Sequence, residues 1–540
     1  MRWLNSNVLG LGLLAVGFAA SIFQIFSKER EFSEPGKTIL RICHWQLELG
    51  YRDALEKVIA EYQKLHPNVK VVQMPVTERL YPQWLNVQLI SREAPDLCEM
   101  GMNKFTQDDT YMVRFFLPLS DIVEKPNPYN RGTELEGVPW RETFIDGMRG
   151  GYRESLQDYY SVPTTTAAMR FFYNKDLLRR ATGSDRPPQT FGQLLDVCAK
   201  VKEYGRRTGE LYIPILSNYQ VGPFIDPYLT AFTAGLEPQV DFDLDGVISR
   251  LDTHAGFVRG MLSMDMPEVR GFYELMKALC DNMAPGFAGM DRQQAQWYFV
   301  QGRGAFLATG SWDGESIYQQ ALEAGFPVGV IPFPIPAKGE RWGDQVIGKR
   351  NEANAQGIGP YGVYKFSRNQ AVAIDFLHFL TSRKYNEMFN QEAGWPPVTI
   401  GAQAKELMKP FQPDPTGYNT RIYFDINPQV DLVWKGQQAR FLSGEIPYET
   451  LAAEYTRAVF NEGYGGDRAW GQEYDRRMRE CRDQERVLAV QACRIIYGLD
   501  ARDAPAKYRK VLVQQVTRNN GQDLRARFNE LRPGKPMPEP

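Results

Sequence analysis

The sequence predicts an α/β chain of more than one lobe, and three observations carry that expectation. The first is length, because 540 residues exceed one ordinary domain. The second is the alternation of strand and helix patterns from Thr38 to Met100, the order that builds a parallel sheet covered by helices. The third is the stretch YYSVPTTTAAMRFFYNKDLL, from Tyr159 to Leu178. There Tyr159, Tyr160 and Val162 favour a strand, Pro163 ends it or holds an edge, and the apolar run Ala167 to Tyr173 forms a second strand. Pattern alone allows a passage from one lobe to another or a buried strand pair inside one.

Near the N-terminus, Val8 to Phe26 is mostly apolar, and its length as a helix, about 28 Å, matches a hydrocarbon core. It reads as a secretory signal or an uncleaved anchor. Gly17-Phe18-Ala19 is a weak cleavage site, and the apolar continuation through Ile22, Phe23, Ile25 and Phe26 favours the anchor. Residues 1–36 are therefore expected to be this helix and a polar linker.

The first strand is expected at Thr38 to Trp45. A helix follows from about Tyr51, with Ala54, Leu55, Val58, Ile59, Tyr62 and Leu65 at helical spacing. Val69 to Val76 is the next strand, Tyr81 to Ser91 the next helix, and Leu97 to Met100 the third strand. In such sheets ligands bind off the carboxyl ends of the strands, which selects the loops His44 to Gly50 and Gly101 to Phe105.

Beyond the Tyr159 to Leu178 stretch, Asn174 is placed to cap a helix from Lys175, and Thr190 one running to about Tyr204. Leu211 to Leu216 is a short strand, and Gly310 is expected to permit the turn that presents Trp312. Lys338 to Gln356 is polar and reads as an exposed loop. Asn369 to Thr381 is an amphipathic helix. From Asp467 the chain becomes Arg-rich and helical, and Pro533 to Pro540 is expected to be disordered.

Several of these stretches resemble the maltose-binding-protein type of extracellular solute-binding proteins of ABC importers. Pro163 and Tyr173-Asn174-Lys175-Asp176-Leu177 stand at that family's crossing spacing. EYQKLHPNVKVV, APDL, the Phe299 to Trp312 step, AIDFLHFLTS and Gly394-Trp395-Pro396-Pro397 are similar to its other motifs. The resemblance implies a two-lobed periplasmic-binding-protein fold of the type II kind, each lobe a mixed, mostly parallel sheet flanked by helices. It implies chain crossings near Pro163, Thr309 and Gly357. The first lobe would then take residues 37–163 and 309–357, the second 164–308 and 358–464, and 465–540 would be a helical extension outside the resemblance.

The formal net charge of −2 gives no reason to expect nucleic acid. Four histidines, none at ligand spacing, argue against a His-rich metal site, and no cofactor is expected. Six cysteines without CxxC spacing allow disulfides in an exported chain but do not assign them, and buried free thiols explain them equally well. No GxSxG, Walker or GxGxxG motif is present. What remains is aromatic: 10 tryptophans, several expected on loops. Sugars present apolar C–H faces to such rings and need partners for their hydroxyls. The candidate faces are Trp45, Trp312, Trp395 and Trp434, the last matched to a stacking position by the resemblance. The candidate polar partners are Gln46, Glu48, Glu99, Asn103, Lys104, Thr164, Gln220 and Asp313.

The chain departs from maltose binders at Ala167, where they carry a carboxylate, at Asn103-Lys104, where they carry an aspartate–arginine pair, and at Met100, where they carry an aromatic. The leading expectation is a receptor outside the cytoplasm that binds a carbohydrate between its lobes and delivers it to ABC permease subunits. An exported saccharide-acting enzyme on the same scaffold, or a receptor for a membrane signalling partner, are the alternatives.

Overall fold

The computed structural model describes residue 34 and residues 36–47, 50–100, 109–153, 156, 158–217, 222–241, 248–284, 286–352, 359–414 and 416–461. The expected membrane segment, the Arg-rich tail with Cys481 and Cys493, and Glu48, Asn103, Lys104 and Gln220 lie outside them. The described strands are β1 (Thr38–His44), β2 (Val69–Pro75), β3 (Leu97–Glu99), β4 (Tyr152–Arg153), β5 (Asp158–Tyr159), β6 (Met169–Asn174), β7 (Ile213–Ser217), β8 (Gly304–Gly310), β9 (Val328–Ile331) and β10 (Tyr361–Val363). They divide between two α/β units. The first holds described residues within Met1–Arg153, Asp158–Thr165 and Gly357–Ala404; the second holds the rest.

In the first unit the sheet order is β10-β3-β1-β2. β1 runs parallel to both β2 and β3, as the strand–helix alternation predicts, and β10 is antiparallel to β3. The helix Tyr51–Leu65 buries Tyr51, Ala54, Leu55, Val58, Ile59 and Tyr62, whereas Leu65, counted on the same face by its spacing, is exposed in the last turn. The helix Gln370–Leu380 buries Ala373, Phe376, Leu377 and Leu380.

Two histidines in this unit are desolvated by the fold, His44 fully buried and His378 half-buried. His44 leaves Nδ1 unpartnered while Nε2 meets Gln73 Oε1 at 3.2 Å, and His378 packs on Trp140 with Nε2 unpartnered. Burial is the main reason each titrates low, at about 4. A depressed histidine leaves stability intact above its unfolded value, near 6.5, and removes it as pH falls from there toward the folded value. Each should therefore subtract about 1 kcal/mol by pH 5.5. Urea unfolding at pH 7.5 and 5.5 should show this loss, and His378→Leu should remove roughly half of the pH dependence.

In the second unit the order is β7-β8-β6-β9, with β6 antiparallel to β8 and β9 and β7 parallel to β8. The sheet is mixed with antiparallel pairing dominant, not mostly parallel. Asn174 caps its helix by accepting from Leu177 N–H at 2.9 Å, and Thr190 caps the next by accepting from Gln193 N–H at 3.3 Å. Leu177, Leu178, Leu194, Cys198 and Val201 from these helices enter one core with Phe171 and Phe306 of the sheet.

Strand pairing corrects the expected division of the chain. Residues 309–352 do not join the first unit, because β9 pairs with β6 from Phe171↔Ile331 to Asn174↔Val328. The helix Gly314–Glu323 stays with the second unit too, its Gly314 lying against Met408. Residues 359–404 belong to the first unit, through β10 and the helices Gln370–Leu380 and Arg383–Ala393, and Lys405 begins the return to the second. Nor is the segment after Lys338 wholly exposed: Trp342 is buried in the second unit's core and donates Nε1–H to Glu274 at 3.1 Å.

Candidate functional site

The second unit carries a pocket of about 590 Å³. Its apolar wall is built by Ala167 and Ala168 leading into β6, by Trp312 after β8, and by Ile331-Pro332-Phe333-Pro334-Ile335 leaving β9. The start of β6 and the ends of β8 and β9 thus meet at the same end of the strands. Trp312 is only partly buried, and its indole N–H has no partner. Gly310 is needed for space, not for its conformation. Its φ of −93° suits any residue, but a Cβ there would come within 2.3 Å of the Trp312 ring.

The polar rim consists of Arg170, Lys349, Arg350, Asp226, Glu352 and Asp414, three cations and three anions. They are paired. Arg170, although buried, sends Nη1 and Nη2 to the two oxygens of Glu352 at 2.5 and 2.7 Å, and Nε to Pro410 O at 3.0 Å. Glu352 Oε2 also accepts from Asp414 N–H at 2.9 Å. Lys349 pairs with Asp414, and that hydrogen bond is the chief reason the Asp414 carboxyl is held well below the usual carboxylate range. Arg350 and Arg421 meet Asp226 at 3.5 and 2.9 Å. Backbone bonds Asn351 N–H to Tyr418 O, at 2.8 Å, and Glu352 N–H to Asp414 O, at 2.8 Å, tie the two rim segments into a short ladder.

Arg170 anchors that ladder to the sheet. An exposed ion pair contributes about 0–1 kcal/mol, and breaking a fully buried one costs about 3–5. Arg170 is 3% exposed and Glu352 25% exposed, so the pair lies between these limits. Arg170→Met should cost about 2 kcal/mol of stability by denaturant unfolding, while Glu352→Gln, which keeps the shape, should cost less.

The remaining candidates fall in two places. In the first unit Glu99 gathers several of them: Oε2 accepts from Trp45 N–H at 3.0 Å, and Oε1 is bonded by the Gln46 side chain. Thr164 donates to Gly359 O at 3.0 Å. Gly359 has φ of +65° and sits so close that a Cβ would lie 2.8 Å from Thr164 Oγ1 and 3.7 Å from Glu99 Oε1. Trp395 is buried beside Tyr51, as a core ring rather than an open face. In the second unit Asp313 is turned inward, accepting from the Thr309 hydroxyl at 2.5 Å, and so secures the turn beneath Trp312 without lining the pocket. Trp434 is a core residue as well: its ring stacks on Phe424 and its Nε1–H donates to Tyr273 Oη at 2.8 Å.

Sequence reasoning missed the whole charged rim. One signal was present, a lone Arg170 in the apolar strand MRFFYN. Lys349, Arg350, Glu352 and Asp414 gave none, since in sequence they resemble any solvated loop.

The family model for bacterial extracellular solute-binding proteins matches residues 50–387. The chain belongs to this family. Its members are solute-binding receptors, not enzymes. Among curated relatives of this solute-binding protein, a Brucella abortus protein described as a binding protein is 25% identical over 244 residues, 44% of this chain and 50% of that one. An uncharacterised ABC transporter extracellular-binding protein of Pyrococcus horikoshii is 21% identical over 61% of this chain and 68% of its own length. The chain thus spans about half the length of the first of these relatives. Among solved structures, the GacH receptor of Streptomyces glaucescens, described with acarbose, superposes with a TM-score of 0.56 at 19% identity, covering 78% of this chain and 98% of that one. The maltose/maltodextrin-binding domain of Bdellovibrio bacteriovorus, bound to maltotriose, gives 0.51 at 16% identity over 78% and 98%. At these identities the likeness is one of fold: two units, each with a mixed sheet flanked by helices, of the maltose-binding-protein kind.

Proposed function

We propose that this solute-binding protein is the extracytoplasmic receptor of an ABC importer and that its solute is a neutral carbohydrate of more than one sugar unit. The pocket around Trp312 contributes its binding surface. The observation that carries the reading is the pocket's combination of an apolar aromatic wall with a charge-balanced rim. A pocket for a polyamine needs an excess of carboxylates, and one for a free amino acid needs unpaired charges of both signs. Here the rim charges are already paired, which favours a ligand that offers hydroxyls and a C–H face. The volume falls within the range of about 300–1,000 Å³ typical of small-molecule sites. The fold neighbours described with acarbose and maltotriose support the same class. Ala167, Asn103-Lys104 and Met100 argue against maltose itself.

The reading includes retention of Val8 to Phe26 as an anchor, with the rest of the chain outside the cytoplasm. N-terminal sequencing of the mature protein should find the segment intact; a start near Ser21 would leave export standing and remove the anchor. The solute class is tested by a thermal-shift screen of residues 37–540 against monosaccharides, oligosaccharides, amino acids and polyamines. Oligosaccharides should raise the melting temperature, because a ligand that binds only the folded state stabilises it. A response confined to amino acids or polyamines would refute the proposal.

A further inference from the structure

Cys43 and Cys98 occupy neighbouring parallel strands in direct register, Cys43↔Cys98. Residues in register on adjacent parallel strands project to the same face, and such strands lie about 4.8 Å apart. That spacing falls inside the window of about 4.4–6.8 Å between Cα atoms that a disulfide requires. Both side chains are fully buried, and both are free thiols in the structure, Cys98 Sγ–H donating to Pro95 O at 3.4 Å. The Tyr81 hydroxyl lies 3.4 Å from Cys43 Sγ and donates to Glu99 O at 2.7 Å, so the pair sits directly beneath the Trp45–Gln46–Glu99 cluster. The sequence placed both cysteines in strands of one lobe but offered nothing on their register.

We propose that Cys43 and Cys98 are a disulfide-forming site, oxidised when the chain folds outside the cytoplasm. Extracellular proteins fold where thiols are oxidised, and this chain belongs to an extracellular family. The oxidant is a disulfide, either a small molecule or a thiol–disulfide oxidoreductase. One cysteine thiolate attacks it, forming a mixed disulfide and releasing one thiol. The second cysteine then attacks the sulfur of the first, and the second thiol leaves. Two protons and two electrons pass from the cysteines to the oxidant, whose disulfide becomes two thiols. Burial closes both sulfurs to reagents once the sheet is covered, and it pushes the Cys98 thiol well above its ordinary range, so the exchange precedes completion of the fold. The link then joins the two strands whose carboxyl ends carry Trp45 and Glu99.

The test is peptide mapping of the full chain, recovered after export, alkylated in denaturant without reductant. The peptides containing Cys43 and Cys98 should appear joined, two hydrogen atoms lighter than their sum and free of alkyl groups. Chain made in a reducing compartment should yield both peptides alkylated. Recovery of both alkylated from exported chain, or of either joined to another cysteine, would overturn the proposal. Mapping needs no variant. A second readout compares melting with and without reductant: reduction should lower the wild-type midpoint by about 5 °C and leave Cys98→Ala unchanged. A drop that persists in Cys98→Ala would place the reducible link elsewhere and refute the assignment.

Discussion

Trp434→Ala should destabilise the protein by about 3–5 kcal/mol, the cost of deleting a large aromatic from a packed core. The side chain is 7% exposed, stacks on Phe424, and bonds Tyr273 through its indole nitrogen. Truncation leaves a cavity and strips the buried Tyr273 hydroxyl of its donor, two penalties with separate origins. Trp434→Phe should recover most of the packing and forfeit only the hydrogen bond, about 1–2 kcal/mol. Denaturant unfolding of the three proteins gives the comparison. Solute affinity of Trp434→Phe should remain within about twofold of wild type, because Trp434 does not line the pocket. A tenfold loss of affinity in that variant would restore Trp434 to the ligand.

Trp312→Ala should have the complementary effect: solute affinity should fall at least about tenfold, equivalent to about 1.4 kcal/mol. Ring stacking contributes about 0.5–1.5 kcal/mol beyond the area it buries, and truncation removes both contributions. The stability cost should be smaller than for Trp434, because Trp312 is only partly buried and its N–H bonds nothing. Gly310→Ala should mimic the loss of affinity without removing the ring. The added Cβ would collide with the indole and displace it from the pocket wall. Titration calorimetry and a melting curve on each variant separate a pocket ring from a core ring.

The first unit's elements were legible because they are local. The helix Tyr51–Leu65 announces itself by the spacing of its buried residues, and the next two strands, β2 and β3, are preceded by Pro67 and Pro95. Asn174 and Thr190 were legible as caps, since a cap is a bond to a backbone three residues away. The assignment of segments to units was not. Whether Val328–Ile331 joins one sheet or the other depends on pairing with Phe171 to Asn174, more than 150 residues earlier, and no local pattern encodes that choice. The same holds for Arg170 and Glu352, which meet across 182 residues. Helical spacing placed Trp434 on a face but could not tell a core face from a ligand face. Trp312 and Asp313 are neighbours in sequence, yet one lines the pocket and the other points into the fold. A single turn of 3-10 helix, Ser311–Asp313, sends them opposite ways.

The proposed ligand is a neutral saccharide bound against Trp312. The most direct measurement is a calorimetric titration of the full chain with the oligosaccharide that raises its melting temperature most, repeated on Trp312→Ala. The expected result is saturable binding at one site per chain with the sugar recovered unchanged, and a dissociation constant at least about tenfold weaker in the variant. Oligosaccharide binding of equal strength in both proteins would contradict the account, as would saturable binding of a charged amine or amino acid in place of a sugar.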